Sequence, residues 1–163
     1  METSTQNLEH AYKEYSDAIF RYCFFKVSDR EKALDLVQET FTRTWQYLTR
    51  GNEIDTMKTF LYTTARHLVI DEYRKKKTLS LDDLINQGME PSLDEEEALF
   101  TSLDAARVIE CVRQLPETYS SILIMRYVND LSIKDIAHIV NETENVVSVR
   151  IHRGLAKMKA LIS

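Results

Sequence analysis

Two stretches of this chain carry side chains suited to contact with nucleic acid. Wound as a helix, residues 61–77 place Leu61, Ala65 and Leu68 on one side and Arg66, Ile70, Tyr73, Arg74 and Lys77 on the other. Guanidinium and ammonium groups neutralise phosphates, and a phenol ring among them offers a plane on which a base can stack. The same cations also suit an ordinary solvated helix end, where positive charge complements the C-terminal dipole. This stretch by itself does not choose between the two. Nearer the C-terminus, Asn145, Val146, Val149, Arg153 and Ala156 fall opposite Ile151, flanked by Arg150, His152 and Lys157. Arg150, Arg153 and Lys157 can reach phosphates or guanine edges, Asn145 can pair with adenine, and the two valines can meet thymine methyls in a major groove. Exposed valines also fit packing against a neighbouring helix or a bound protein; the cations around them favour DNA.

Nothing comparable supports catalysis. His10, His67, His138 and His152 are scattered and form no metal-ligand set. There is no glycine-rich phosphate loop and no nucleophile elbow. Cys23 and Cys111 have neither metal spacing nor a disulfide framework, and read as buried, inert thiols in a reduced setting. The expectation is a protein that is not an enzyme, with no metal, no cofactor and no small-molecule substrate.

The two basic faces need helices beneath them, and the composition provides for that. The 163 residues include only 3 glycines and 2 prolines, too few for a turn-rich sheet fold. With 44% hydrophobic and 29% charged residues the chain reads as globular. No apolar run of membrane-spanning length and no secretory leader is legible, so a cytoplasmic protein that is not membrane-inserted is expected. The net charge of −5 is unevenly spread. Residues 1–77 are net +1, residues 78–100 are net −7 with no basic residue, and residues 101–163 are net +1. The fold class predicted is all-α: two small helical domains, 7–78 and 101–163, joined by a flexible acidic linker, 79–100. The linker serves as a plain tether or, more sharply, its carboxylates, Asp82, Asp83, Glu90, Asp94, Glu95, Glu96 and Glu97, cover basic surfaces in place of phosphates.

In the first module Ser28 and Glu31 form a capping-box pattern for a helix from Asp29 to Arg50, with Ala33, Leu36, Val37, Thr40, Phe41 and Thr44 along one stripe and Gly51 as its stop. Asp55 or Thr56 starts the next helix. In the second module Pro116 suits a helix start, and Ser132 with Asp135 caps a short helix carrying Ile133, Ile136, Ala137 and Val140. A tight turn over Asn141–Glu144 follows. The last helix is expected to bury Val147, Ile151, Leu155, Met158 and Ile162. Short helix, tight turn and longer helix make a helix-turn-helix pattern.

Three stretches together resemble the sigma-70 family of RNA polymerase sigma factors, in its extracytoplasmic-function (ECF) subfamily. Asp35-Leu36-Val37-Gln38-Glu39-Thr40-Phe41 with Trp45 is similar to region 2.2, and residues 59–77 are similar to regions 2.3 and 2.4. Leu115-Pro116-Glu117, Arg126-Tyr127, Leu131-Ser132, Asp135-Ile136-Ala137 and Arg150-Ile151-His152-Arg153 are similar to region 4. The resemblance implies a region 2 bundle and a region 4 helix-turn-helix that bind core RNA polymerase and direct it to promoter DNA. It places Asp35, Gln38 and Glu39 on the β′ clamp; Phe41 and Trp45, large aromatics at helical spacing, are expected to pack the module from within. It places Asn52, Glu53, Arg66, Tyr73, Arg74 and Lys77 at the −10 element. It places Asn145, Val149, Arg150, His152, Arg153 and Lys157 at the −35 element, with the β flap as a further partner and an anti-sigma protein as regulator.

Phe60 stands where the family usually has Trp, His67 where it has Asn, and Asn141 where it has Gly. Val146 and Ser148 replace a Thr and a Lys of the family pattern, which implies weaker or differently specific −35 binding. A stand-alone helix-turn-helix regulator would explain residues 132–160 only. A degenerate sigma-like interaction protein would sequester a regulator without reading promoters.

Overall fold

The computed structural model describes residues 2–86 and 103–162, with side chains over 5–75 and 106–162. Among the described residues are seven α-helices, one π turn and no strand. Helices α1 (Glu2–Val27), α2 (Arg30–Thr49) and α3 (Met57–Asn86) pack pairwise into the first module. The α2 stripe is buried as its spacing predicts, from Ala33 to Thr44. Thr40 and Thr44 are tolerated inside because their hydroxyls donate to the carbonyls of Leu36 at 2.7 Å and Thr40 at 2.8 Å.

Two local expectations shift. The cap of α2 is Asp29, which accepts from the Lys32 N–H at 3.2 Å; it is not Ser28. Ser28 has φ 53 and donates its N–H to the Phe24 carbonyl at 2.7 Å. A residue that closes one helix in the left-handed region cannot supply the extended backbone an N-cap needs. Trp45, expected inside, is 38% exposed, because the stripe turns through Thr44 and leaves Trp45 beside it; Phe41 is buried. Gly51, at φ 90, stops α2 with its N–H on the Leu48 carbonyl at 3.1 Å. Helix α3 continues to Asn86, so residues 79–86, expected to open the linker, are helical. Residues 87–100, with Glu95, Glu96 and Glu97, lie outside the described residues.

The second module comprises α4 (Leu103–Gln114), α5 (Glu117–Leu123), the π turn (Ile124–Val128), α6 (Ile133–Val140) and α7 (Glu144–Ile162). Ser132 caps α6 by accepting from the Asp135 N–H at 3.0 Å. Asn141 closes it at φ 56 and ψ 51. Thr143 Oγ1 then accepts from the Val146 N–H at 3.1 Å to start α7. The inner row of α7 is Val147, Ile151 and Gly154, with Met158 half-buried; Leu155 and Ile162, expected inside, are exposed. Steps of four residues drift off a helix of 3.6 residues per turn, and Gly154 restores the phase. A Cβ at Gly154 would stand 3.0 Å from Leu123 Cδ1 and 3.4 Å from Tyr119 Cβ, so the missing side chain lets α7 close on α5. The modules also touch each other: α1 meets α4 and the π turn, and α3 meets α6.

Candidate nucleic-acid interface

The face of α3 opposite its core is not open. Ile70 and Tyr73 are half-buried and Arg66 is largely covered, while Arg74 is exposed, 4.0 Å from Asp71. The reason is the start of α5, which lies against this face. Lys26 of α1 forms an ion pair with Glu117 and donates to Ser120 Oγ at 2.6 Å. Arg66 Nε approaches the other Glu117 oxygen at 3.6 Å, an ion-pair distance too long for a hydrogen bond. Ser121 Oγ donates to Glu117 and shares a 2.8 Å hydrogen bond with Tyr22 Oη. Tyr73 Oη donates to the Lys26 carbonyl. Burial pushes the Lys26 ammonium below its ordinary pKa, and the Glu117 carboxylate draws it part of the way back. Burial likewise raises the Tyr22 and Tyr73 phenols. A cavity of about 300 Å³ borders the junction, lined by Lys26, Ile70, Tyr73, Arg74, Arg113, Leu115 and Glu117. The side chain of Lys77 lies outside the described residues.

The terminal helix presents the opposite situation. Asn145, Val149, His152, Arg153 and Lys157 are exposed along α7, and Arg150 is partly covered. Arg150 Nη2 lies 3.3 Å from Glu142 Oε1, and the Lys157 ammonium sits 5.6 Å from the Tyr119 ring centroid. The turn between α6 and α7 therefore delivers one basic face to solvent. Val146 is half-buried and belongs partly to the packing.

On α2, Asp35, Gln38 and Glu39 are exposed, with Glu39 3.1 Å from Arg43. Leu34 and Trp45 are exposed on the same side, so this outer face alternates carboxylate, amide and apolar groups. Asn52 and Glu53 are exposed in the loop before α3, and Asn52 Nδ2 donates to the Tyr47 carbonyl at 3.2 Å. The structure thus gathers Arg66, Tyr73 and Arg74 near one junction. It keeps Asn52 and Glu53 in a separate loop, and sets the α7 residues on a separate face.

Sequence reasoning passed over Lys26, Tyr22, Ser120 and Ser121. A signal was present: Lys26 is a single cation in Cys23-Phe24-Phe25-Lys26-Val27, four residues after Tyr22, and so on a face that is otherwise buried. Among the described residues no group of side chains could hold a metal ion, and no helix is long and apolar enough to cross a membrane.

Residues 11–78 match the family model for Sigma-70 region 2, and residues 105–158 match that for Sigma-70, region 4. Two similar proteins of Bacillus subtilis are the RNA polymerase sigma factor YlaC, 27% identical over 94% of this chain and 90% of the relative, and the ECF RNA polymerase sigma factor SigW, 28% identical over 86% and 80%. The fold is similar to that of the sigma factor RpoE of Bartonella quintana, solved in complex with the anti-sigma factor NepR. That match has a TM-score of 0.72 and 19% identity and covers 96% of this chain and 97% of that one.

Proposed function

The chain belongs to the sigma-70 family and is a sigma factor of the ECF kind, which directs RNA polymerase to promoters; from that premise we propose how its residues divide the work. Residues 7–78 bind core polymerase and the −10 element, residues 79–100 connect, and residues 101–163 bind the −35 element. Asp35, Gln38 and Glu39 engage the β′ clamp. Their support is an exposed polar row bordered by exposed Leu34 and Trp45, the mixture of anchors and polar rim found at protein interfaces. Arg66, Tyr73, Arg74 and Lys77 hold the −10 strand by phosphate contact and stacking, and Asn52 and Glu53 receive a base taken out of the stack. That extrusion costs a few kcal/mol, so a pocket and cations must offset it. Asn145, Val149, Arg150, His152, Arg153 and Lys157 read the −35 duplex from the major groove, and the second module also meets the β flap.

The protein is proposed to act in the cytoplasm as a non-catalytic, cofactor-free subunit under the control of an anti-sigma protein. One observation carries the reading: two helical modules in the family's order, the second ending in a capped helix-turn-helix with its basic face in solvent. The test is run-off transcription by core polymerase on genomic fragments with and without the chain. Discrete chain-dependent transcripts are expected. Failure to associate with core polymerase would refute the assignment.

A further inference from the structure

We propose that Glu117 is the key of an intramolecular latch: its carboxylate stands where a DNA phosphate would, between Lys26 and Arg66, and holds the basic face of α1 and α3 shut against the second module. That this face is the −10 face rests on the proposed function; the latch itself does not.

The geometry points to it in three ways. First, one carboxylate is met by two cations from two helices of the other module, the ammonium of Lys26 and Arg66 Nε at 3.6 Å. This is how paired cations clasp a phosphate. Second, much of the junction is polar. Beyond Glu117 it includes the Tyr22–Ser121 bond at 2.8 Å, the Asn129 Nδ2 bond to the Ala18 carbonyl at 2.8 Å, and the Lys58–Asp135 ion pair at 3.2 Å. Each of these groups finds water when the modules part, so separation strands no polar atom, as suits a contact between domains that move. Third, the 300 Å³ cavity beside Glu117 leaves the junction loosely filled where Tyr73 and Arg74 meet it.

Lys26 is only 3% exposed, so the pair cannot be halved without cost. Removing the charge of Glu117 leaves an ammonium buried beside a guanidinium with no carboxylate between them. The closed state loses by this, and the open state, where Lys26 is solvated, does not. DNA or polymerase that offers its own anions or contacts to this face competes with Glu117 directly.

The test uses the full chain. Glu117→Gln keeps the shape and removes the charge. It should raise the open-to-closed ratio by about a hundredfold, read as a larger radius of gyration in small-angle scattering at unchanged helix content. Affinity for a fluorescein-labelled single strand of mixed sequence should rise at least about tenfold, tracking the open fraction. Adding Arg66→Ala to Glu117→Gln should remove that gain. Asp135→Lys, at the half-exposed pair with Lys58, gives an independent opening, and Lys58→Glu with Asp135→Lys should close the chain again. If scattering is unchanged in both Glu117→Gln and Asp135→Lys, the latch is overturned. If the chain expands but binds the strand no better, the latch stands and the −10 assignment of Arg66 and Tyr73 falls instead.

Discussion

Arg66 and Arg153 are both arginines on helices proposed to meet DNA, and their surroundings differ. Arg66 is largely covered, faces Glu117 across a module boundary and has a buried Nε with no hydrogen bond. Arg153 stands exposed on α7. The first basic face is presented to the chain's own carboxylate and the second to solvent. Fold membership alone does not tell a ready surface from a covered one; the ion pairs do. In the proposed closed state the basic face of α7 stays in solvent, while the face of α3 that carries Arg66 must first be released.

The largest expected effect breaks the open side of that comparison. Gly154→Leu forces a side chain into the contact of α7 with Leu123 and Tyr119, where an added Cβ alone would stand 3.0 Å from Leu123 Cδ1. Overpacking of this kind costs about 3 kcal/mol. The urea midpoint should fall and −35 duplex binding should be lost. An unchanged midpoint would show that α5 and α7 are not held as closely as the glycine implies.

Alkali should separate the modules from the other side. Burial pushes the Cys23 thiol from 9.0 up to about 12 and the Tyr62 phenol from 10.0 up to about 12, and raises Tyr22 and Tyr73 as well. All four belong to the first module. An acid whose folded pKa lies above its unfolded one contributes stability in full below the unfolded value. That contribution is lost as pH rises through the folded value. The first module should therefore weaken between about pH 9 and 12. The tyrosinate absorbance of Tyr22, Tyr62 and Tyr73 should appear only above the ordinary tyrosine range, with Cys23 alkylation accompanying it. A single step near the unfolded tyrosine value would show that the phenols are not shielded.

A smaller effect sharpens the comparison at the basic faces. Arg153→Ala should weaken −35 duplex binding by about tenfold and reduce the slope of log affinity against log salt by about 0.9 if its contact is to phosphate. If the slope is unchanged but one base position loses preference, Arg153 reads a base edge instead.

Most of the helices were legible because apolar spacing and caps are local properties. The α2 stripe, the Gly51 stop, the Ser132 cap and the Asn141 turn each follow from residues within a few positions of one another. What failed locally failed by phase: Leu155 and Ile162 continue a four-residue step that the helix does not keep, and Trp45 lies beside the row that Thr44 completes. What could not be read was the covering of α3. Lys26 and Glu117 are 91 residues apart, and no periodicity links them. The basic character of Arg66, Tyr73 and Arg74 was visible in one stretch, but their exposure depended on another. The side chains of the carboxylates expected to shield a basic face, Glu95, Glu96 and Glu97 among them, lie outside the described residues; within those described it is Glu117 that pairs with Lys26 and Arg66.

The smallest effects test the turns that set this geometry. Ser28, between α1 and α2, and Asn141, between α6 and α7, both lie in the left-handed region, at φ 53 and φ 56. Asn tolerates that region through its short amide, whereas Ser is strained there by roughly 1 kcal/mol. Asn141→Ala should therefore cost about 1 kcal/mol, while Ser28→Gly should gain about 0.5 kcal/mol, offset in part by the greater freedom of the unfolded chain. Both are read as shifts in the urea midpoint at constant slope. If Asn141→Ala is neutral, the turn has relaxed to negative φ, and α7 must then leave α6 at another angle. The same variant should in that case lose −35 affinity without losing stability. That split would show the left-handed turn serving to aim the reading helix, with little share in holding the module together.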